Sequence, residues 1–154
     1  METAIIAAGC FWGVEEAFRT LPGVLTTEVG YTGGHSENPT YKDVCSDITG
    51  HAEAIRIVFD PETTSYTDIL RKFFSIHDAT QMNRQGPDVG SQYRSAIFFT
   101  TPEQSIEALR AREDEQQKHA EPVATEVTAA TAFYPAEEYH QKYFLKNGGG
   151  TCHV

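Results

Sequence analysis

Near its start the chain reads Thr3-Ala4-Ile5-Ile6-Ala7-Ala8-Gly9-Cys10-Phe11-Trp12-Gly13, and the type of fold can be inferred outward from this stretch. Residues 3–8 form a short apolar run, which is typical of a buried strand. Apolar residues then recur at helical spacing until Pro22-Gly23 stops the pattern, at Val14, Ala17, Phe18 and Leu21. The sequence therefore predicts that Cys10 lies in a turn between a strand and a helix.

A cysteine in such a turn can be an activated thiol. The unpaired N–H groups and the positive end of the helix dipole favour an anion, and the thiolate is the nucleophilic form of cysteine. A free cysteine is also common as a small buried hydrophobic residue, so the position of Cys10 alone leaves both interpretations open.

Strand-like and helix-like segments alternate along the rest of the chain without a repeat. The pattern predicts strands over 24–31, 53–59, 94–100 and 123–128, helices over 65–76, 102–118 and 137–145, and long loops over 32–50 and 78–92. The last helix would open at Pro135. We expect an α/β (α+β) fold with helices packed on a mixed, largely antiparallel sheet.

Length and composition suit one domain, because 154 residues that are 40% hydrophobic can bury a sizeable core. We expect this domain over 1–147, followed by a flexible glycine-rich tail over 148–154. The net charge is −10 and the basic residues are scattered, so neither nucleic acid nor membrane is an expected partner. Three cysteines are too few for a disulfide scaffold, which favours a reducing compartment, and we expect the cytoplasm.

The segment before Cys10 superficially resembles the cleavage site of a bacterial lipoprotein. It contains an acid at Glu2 and no Lys or Arg, and its apolar run over 4–8 is too short for a signal peptide. Elsewhere no apolar run approaches the length that crosses a bilayer. We therefore expect neither a lipidated leader nor a membrane span.

Glu53 is the second candidate functional residue. In a strand it shares a face with Ile55, Ile57 and Phe59, so its carboxyl points where apolar groups point. Burial would raise its pKa and let it donate a proton near neutrality. The alternative is that Glu53 lies at the open end of the strand, beside His51, and is solvated.

Aromatic residues occur beside Cys10 and in the two long loops. Phe11 and Trp12 follow the cysteine, and Tyr41 and Tyr93 lie in the loops. An apolar cage with a few hydroxyls suits a small neutral group. Either Phe11 or Trp12 could instead pack in the core under the first helix.

Several separated motifs occur in a fixed order: Gly9-Cys10-Phe11-Trp12-Gly13, Gly30-Tyr31-Thr32-Gly33-Gly34, Asn38-Pro39-Thr40-Tyr41, Thr49-Gly50-His51-Ala52-Glu53-Ala54, Asp88-Val89-Gly90, Ser91-Gln92-Tyr93-Arg94-Ser95, Ala136-Glu137 and Tyr139-His140-Gln141. With them the chain resembles the type A peptide methionine sulfoxide reductases, which act on the S epimer of the sulfoxide. The resemblance extends over nearly the whole chain and implies a two-layer α/β sandwich.

The resemblance also implies roles for the candidate residues. Cys10 would attack the sulfoxide sulfur, and Glu53 would protonate the sulfoxide oxygen. The remaining roles are hydrogen bonds to that oxygen from Tyr41 and Tyr93, a cage for the methyl group from Phe11 and Trp12, and ordering of the pocket by Asp88. The expected substrates are oxidised proteins and free methionine sulfoxide, so the enzyme would repair oxidative damage. We also expect it to be a monomer and to have no bound cofactor.

Attack on the sulfoxide would leave a sulfenic acid on Cys10, which needs a second thiol. Cys152 follows Gly148-Gly149-Gly150 and is the candidate resolving cysteine. The resemblance implies a disulfide with Cys10 that thioredoxin reduces, or dithiothreitol in vitro. Alternatively, Cys152 is an incidental residue of a disordered tail. Cys45 could be an auxiliary thiol, although a structural or merely accessible cysteine is the simpler interpretation.

Three alternative functions also involve cysteines. A metal site is not expected, because the six histidines and three cysteines lack ligand spacing. A thiol peroxidase would also form a sulfenic acid, and a redox-sensing or binding module could use the same pocket without catalysis. Sulfoxide turnover distinguishes the reductase from both of the latter.

Overall fold

The computed structural model describes residues 1–147 of the chain. Its strands are β1 (Glu2–Ala8), β2 (Val24–Thr32), β3 (Ala52–Phe59), β4 (Arg84–Gln85), β5 (Asp88–Val89), β6 (Ser95–Phe99), β7 (Glu126–Ala129) and β8 (Phe133–Pro135). Its helices are α1 (Phe11–Arg19), α2 (Tyr41–Cys45), α3 (Tyr66–Ser75), α4 (Pro102–Gln116) and α5 (Tyr143–Lys146). Short 3₁₀ helices cover Ser91–Tyr93 and Glu138–His140.

Six of these strands form one sheet in the order β7-β6-β1-β3-β2-β8, and β4 and β5 form a separate small hairpin. In the large sheet β6 and β7 run parallel, whereas the other neighbouring pairs are antiparallel. The predicted mixed, largely antiparallel sheet is therefore confirmed. β1 and β3 are its central strands, and the end of β1 that leads to Cys10 lies beside the end of β3 that carries Glu53.

The alternation of side chains along β1 explains the layered arrangement. Ala4, Ile6 and Ala8 belong to the main core, together with apolar residues of α1, α3 and α4. Ile5 and Ala7 belong to a smaller cluster that the chain around residues 130–133 covers. Three helices thus pack on one face of the sheet, which confirms the expected two-layer α/β sandwich.

Helix α3 shows how local sequence sets these boundaries. The Ser65 hydroxyl accepts a hydrogen bond from the Asp68 N–H at 3.0 Å, and the Asp68 carboxylate accepts one from the Ser65 N–H at 3.1 Å. This capping box starts the helix, and its apolar face then buries Ile69, Leu70 and Phe73 against the sheet.

The predicted helix over 137–145 is wrong. Pro135 ends β8, which pairs with β2, and the chain continues through the 3₁₀ helix Glu138–His140 to the short α5. The reason is a side-chain clamp, since the Gln141 amide accepts a hydrogen bond from the Val29 N–H and donates one to the Val29 carbonyl, both at 2.9 Å. Smaller differences are that the loop over 32–50 contains α2 and that the strand predicted over 123–128 begins only at 126.

No helix within residues 1–147 combines the length and the apolar character needed to cross a membrane. The predicted flexible tail over 148–154, with Cys152, lies outside the described residues.

Candidate active site

Cys10 lies where the sequence predicts it, between β1 and α1. Gly9 before it has a φ of 98°, a left-handed conformation that favours glycine and that turns the chain out of the strand. Cys10 is the N-cap residue of α1 and is half-buried. Its side chain therefore lies at the positive end of the helix dipole, which stabilises a thiolate.

Glu53 lies on β3 with only 2% of its surface exposed, so the interpretation of Glu53 as a solvated strand-end residue is wrong. Its Oε1 accepts a hydrogen bond from the Phe11 N–H at 3.2 Å. Its Oε2 is buried and has no hydrogen-bond partner among the residues that the structure describes. The carboxyl thus joins the first turn of α1 while one oxygen stays available.

The pKa of Glu53 is raised well above its usual value of 4.5. Burial is the largest cause, followed by the negative charge of a Cys10 thiolate, and Asp88 adds to the same effect. The hydrogen bond from Phe11 acts in the opposite direction but is outweighed. The raised pKa favours the protonated carboxyl, which is the form that can donate a proton.

Phe11 and Trp12 form an aromatic surface beside the cysteine. Phe11 is buried, with its ring centroid 5.8 Å from that of Tyr31, whereas Trp12 is half-buried. The Trp12 indole N–H donates to Nδ1 of His140 at 2.9 Å. The indole also stacks on Tyr143, with centroids 3.8 Å apart and planes 7° apart. Phe11 therefore also belongs to the core, while Trp12 is a held but partly accessible ring.

Tyr41 and Tyr93 approach the same site from different segments. Tyr41 begins α2. Burial is the largest cause that raises the pKa of its hydroxyl, and a hydrogen bond with Cys45 is the second. Tyr93 ends a 3₁₀ helix. Burial is again the largest cause that raises the pKa of its hydroxyl, and the charge of Glu53 is the second. Both hydroxyls therefore stay protonated and can donate hydrogen bonds.

Asp88 and Cys45 lie at the edge of this site. Asp88 is half-buried on β5, and its charge is one of the causes that raise the pKa of Glu53. Cys45 is an exposed residue at the end of α2, but partial burial of its sulfur outweighs a hydrogen bond with Tyr41 and raises the pKa of its thiol. Cys45 is thus a poorer source of thiolate than an unperturbed cysteine.

Two further residues of the site, His140 and Glu137, received no role from the sequence. His140 is fully buried, its ring contacts those of Phe11 and Tyr41, and burial lowers its pKa. Glu137 accepts hydrogen bonds from the Tyr31 hydroxyl at 2.8 Å and from the Tyr41 N–H at 3.0 Å. Burial acts to raise the pKa of Glu137, but these hydrogen bonds hold it below its usual value. The motifs Ala136-Glu137 and Tyr139-His140-Gln141 were the signal that could have identified them.

Metal chemistry has no evident site in the described part of the chain. Within residues 1–147 no three His, Cys, Asp or Glu side chains are grouped so that they could hold a metal ion.

One end of the central strands therefore brings together a cysteine at a helix start, a buried acid with a raised pKa and a set of aromatic rings. Together with the two-layer sandwich, they define a thiol-dependent enzyme of the α/β class.

Comparison with known proteins specifies this class. The sequence profile of the family described as Peptide methionine sulfoxide reductase matches residues 2–154. The chain is 54% identical to the peptide methionine sulfoxide reductase MsrA of Methanoculleus marisnigri, covering 99% of this chain and 94% of that protein. It is 52% identical to the MsrA of Geobacter sulfurreducens, covering 99% and 95%.

Solved structures agree with this result. Methionine sulfoxide reductase A of Corynebacterium diphtheriae superposes with a TM-score of 0.94 at 39% identity, over 98% of this chain and 77% of that one. Mxr1 from Saccharomyces cerevisiae in its reduced form gives 0.93 at 35% identity, over 99% and 91%. The chain belongs to the peptide methionine sulfoxide reductase family and is a methionine sulfoxide reductase, an oxidoreductase.

Proposed function

We propose that this reductase acts on the S epimer of methionine sulfoxide, free or in proteins, with Cys10 as the nucleophile and Glu53 as the acid. The observation that carries the proposal is the state of Glu53. Its carboxyl is buried beside the cysteine, its pKa is raised, and its Oε2 has no hydrogen-bond partner within residues 1–147. An acid with a retained proton and an available oxygen suits protonation of a bound sulfoxide.

In the reaction, the Cys10 thiolate attacks the sulfoxide sulfur while Glu53 transfers its proton to the oxygen. The attack forms a bond between the Cys10 sulfur and the substrate sulfur. This bond and the S–O bond of the substrate then break as the protonated oxygen is transferred to the Cys10 sulfur, which becomes a sulfenic acid. The cysteine loses two electrons, and the substrate gains them and leaves as methionine. Protonation matters because negative charge develops on the oxygen as the sulfur is attacked.

The aromatic and hydroxyl groups around Cys10 would orient the substrate. Phe11 and Trp12 offer an apolar cage for the methyl group, which excludes water from the reacting sulfur. Tyr41 and Tyr93 keep their protons and would donate hydrogen bonds to the oxygen. Asp88 would order the polar side of the pocket through its electrostatic effect on Glu53.

Recycling of Cys10 needs a second thiol, and we assign this role to Cys152. The Cys152 thiol would attack the sulfenic acid, form a disulfide with Cys10 and release water. Thioredoxin is the proposed physiological reductant, and dithiothreitol would serve in vitro. Mxr1 has also been solved in complex with Trx2, and the chain matched in that complex shares the fold with a TM-score of 0.67 at 22% identity. A cytoplasmic location and a monomeric state complete the proposal.

Separate assays of the S and R sulfoxides test the proposal. With thioredoxin present, the S epimer should yield methionine over many turnovers and the R epimer should not. Equal turnover of the two epimers would contradict the stereochemical assignment. Consumption of peroxide without sulfoxide turnover would identify a thiol peroxidase instead, and binding without turnover would identify a noncatalytic module.

A further inference from the structure

One buried carboxylate on α1 belongs to none of the reacting groups. Glu15 is 1% exposed. Its Oε2 accepts a hydrogen bond from the Thr27 hydroxyl at 2.8 Å, and its Oε1 accepts one from the Lys142 N–H at 2.6 Å. The Lys142 ammonium lies 4.0 Å from the same carboxylate. A buried carboxylate is costly without donors, so these contacts hold Glu15 and its partners in one arrangement.

The Lys142 end of this contact is a constrained point of the backbone. Lys142 has a φ of 51° and a ψ of 46°, a left-handed conformation that a lysine rarely adopts. It is the N-cap residue of α5, so its conformation sets the direction in which the chain enters that helix. The hydrogen bond from its N–H to Glu15 therefore fixes the start of α5 against α1.

Two residues close to Lys142 in sequence hold the Trp12 ring. His140, two residues earlier, accepts the hydrogen bond from the Trp12 indole. Tyr143, the next residue, stacks on the indole at 3.8 Å. Because Trp12 and Glu15 are one turn apart on α1, the helix contacts the C-terminal segment at two adjacent places.

A second anchor of the same segment does not replace this contact. Gln141 bonds to the backbone of Val29 on β2 and so holds the chain before Lys142 against the sheet. Glu15 instead ties Lys142 to α1, the helix that carries Trp12.

We propose that Glu15 is a positioning residue, whose hydrogen bond to the Lys142 N–H places Tyr143 and thereby sets the orientation of the Trp12 ring. The consequence for catalysis rests on the proposed role of Trp12 in the methyl cage. A ring that is held in place contributes to sulfoxide binding, whereas a ring released from Tyr143 leaves the cage open.

The chain offers a direct probe, since Trp12 is its single tryptophan. Fluorescence of the full-length protein, excited at a wavelength that tryptophan absorbs and tyrosine does not, therefore reports the surroundings of this ring alone. The informative variants are Glu15→Ala, which removes the acceptor, and Glu15→Gln, which keeps an oxygen that can accept the Lys142 N–H. Lys142→Asn keeps the backbone N–H in a residue that tolerates the left-handed conformation while it removes the ammonium. The control for general destabilisation is Ile69→Val, in the core under α3.

Glu15→Ala should shift the Trp12 emission and raise the KM for S-methionine sulfoxide about five- to ten-fold with a nearly unchanged kcat, because uniform binding is lost. Glu15→Gln and Lys142→Asn should keep an emission close to that of the wild type, and so should Ile69→Val. An unshifted emission in Glu15→Ala would overturn the proposal. So would an equal shift in Glu15→Ala and Ile69→Val, or in Glu15→Ala and Glu15→Gln.

The assay also separates this inference from the proposed function. If the wild type turned over no sulfoxide, the proposed function would fail, but the fluorescence of the variants would still decide whether Glu15 positions Trp12. If the wild type turned over and Glu15→Ala kept the wild-type KM, the function would stand and the positioning role in catalysis would be wrong.

Discussion

Phe11 donates its backbone N–H to Oε1 of Glu53 at 3.2 Å, although 42 residues separate the two in sequence. This bond joins the first turn of α1 to β3, so that Cys10 and the buried acid are held side by side. The proposed nucleophile and the proposed proton donor are therefore positioned by the same contact.

Replacement of the acid should slow the chemical step. We expect Glu53→Gln to lower the rate of methionine release in a single turnover by about 10²- to 10⁴-fold, because the amide cannot supply the proton. The wild-type rate should also fall as the pH rises through the raised pKa of Glu53. Rapid-quench measurement of methionine across a pH series checks both. An unchanged single-turnover rate in Glu53→Gln would remove Glu53 as the acid.

The same carboxyl should affect the pH dependence of stability. The pKa of Glu53 is raised in the folded protein above the usual 4.5 that it regains on unfolding. Its contribution is therefore fully present below about 4.5 and is lost as the pH rises towards the folded pKa. Urea unfolding at several pH values should show the wild type losing stability relative to Glu53→Gln with rising pH. A constant difference would contradict the raised pKa.

The hydroxyls of Tyr41 and Tyr93 should act together on the sulfoxide oxygen. Each tyrosine-to-phenylalanine change should reduce the single-turnover rate about ten-fold, and the double change should reduce it by about 10² or more, because preorganised donors are lost from the developing charge. Tyr134→Phe, a change in β8 outside the proposed set of oxygen donors, is the matched control. A double variant with the wild-type rate would show that neither hydroxyl contacts the oxygen.

The Gly34 position should tolerate no side chain. A Cβ there would lie 2.4 Å from the His51 N and 2.5 Å from the Thr49 carbonyl oxygen, so the backbone near β3 would have to shift. We expect Gly34→Ala to lower the free energy of unfolding by about 1–3 kcal/mol.

Gly86→Ala separates crowding from backbone strain at such positions. Gly86 has a φ of +60° and open space around it, so its substitution should cost about 1–2 kcal/mol from conformation alone. Urea denaturation of both variants measures the two losses in the free energy of unfolding. If a crystal structure of Gly34→Ala showed the His51 and Thr49 backbone unmoved, the crowding at Gly34 would be refuted.

The local parts of the site could be predicted from sequence. The strand, the turn at Gly9 and the start of α1 depend on neighbouring residues, and the period-two pattern correctly placed Glu53 on the buried face of β3. The C-terminal segment could not be predicted in the same way. Its helix pattern is overridden by the bonds of Gln141 to Val29, 112 residues earlier in the chain.

The role of His140 was missed for the same physical reason. The bond between Trp12 and His140 spans 128 residues, so no local pattern near either residue indicates it. Only the packing of the C-terminal segment against α1 brings the two rings together.

The most direct test of the central claim is the fate of the sulfoxide oxygen in Cys152→Ser. Mixed with excess S-methionine sulfoxide and no reductant, this variant should release about one methionine per enzyme, and a dimedone-labelled sulfenic acid should be found by mass spectrometry on Cys10. Release of methionine with Cys10 unlabelled, or with the label on Cys45 instead, would contradict the assignment of Cys10 as the residue that attacks the sulfoxide.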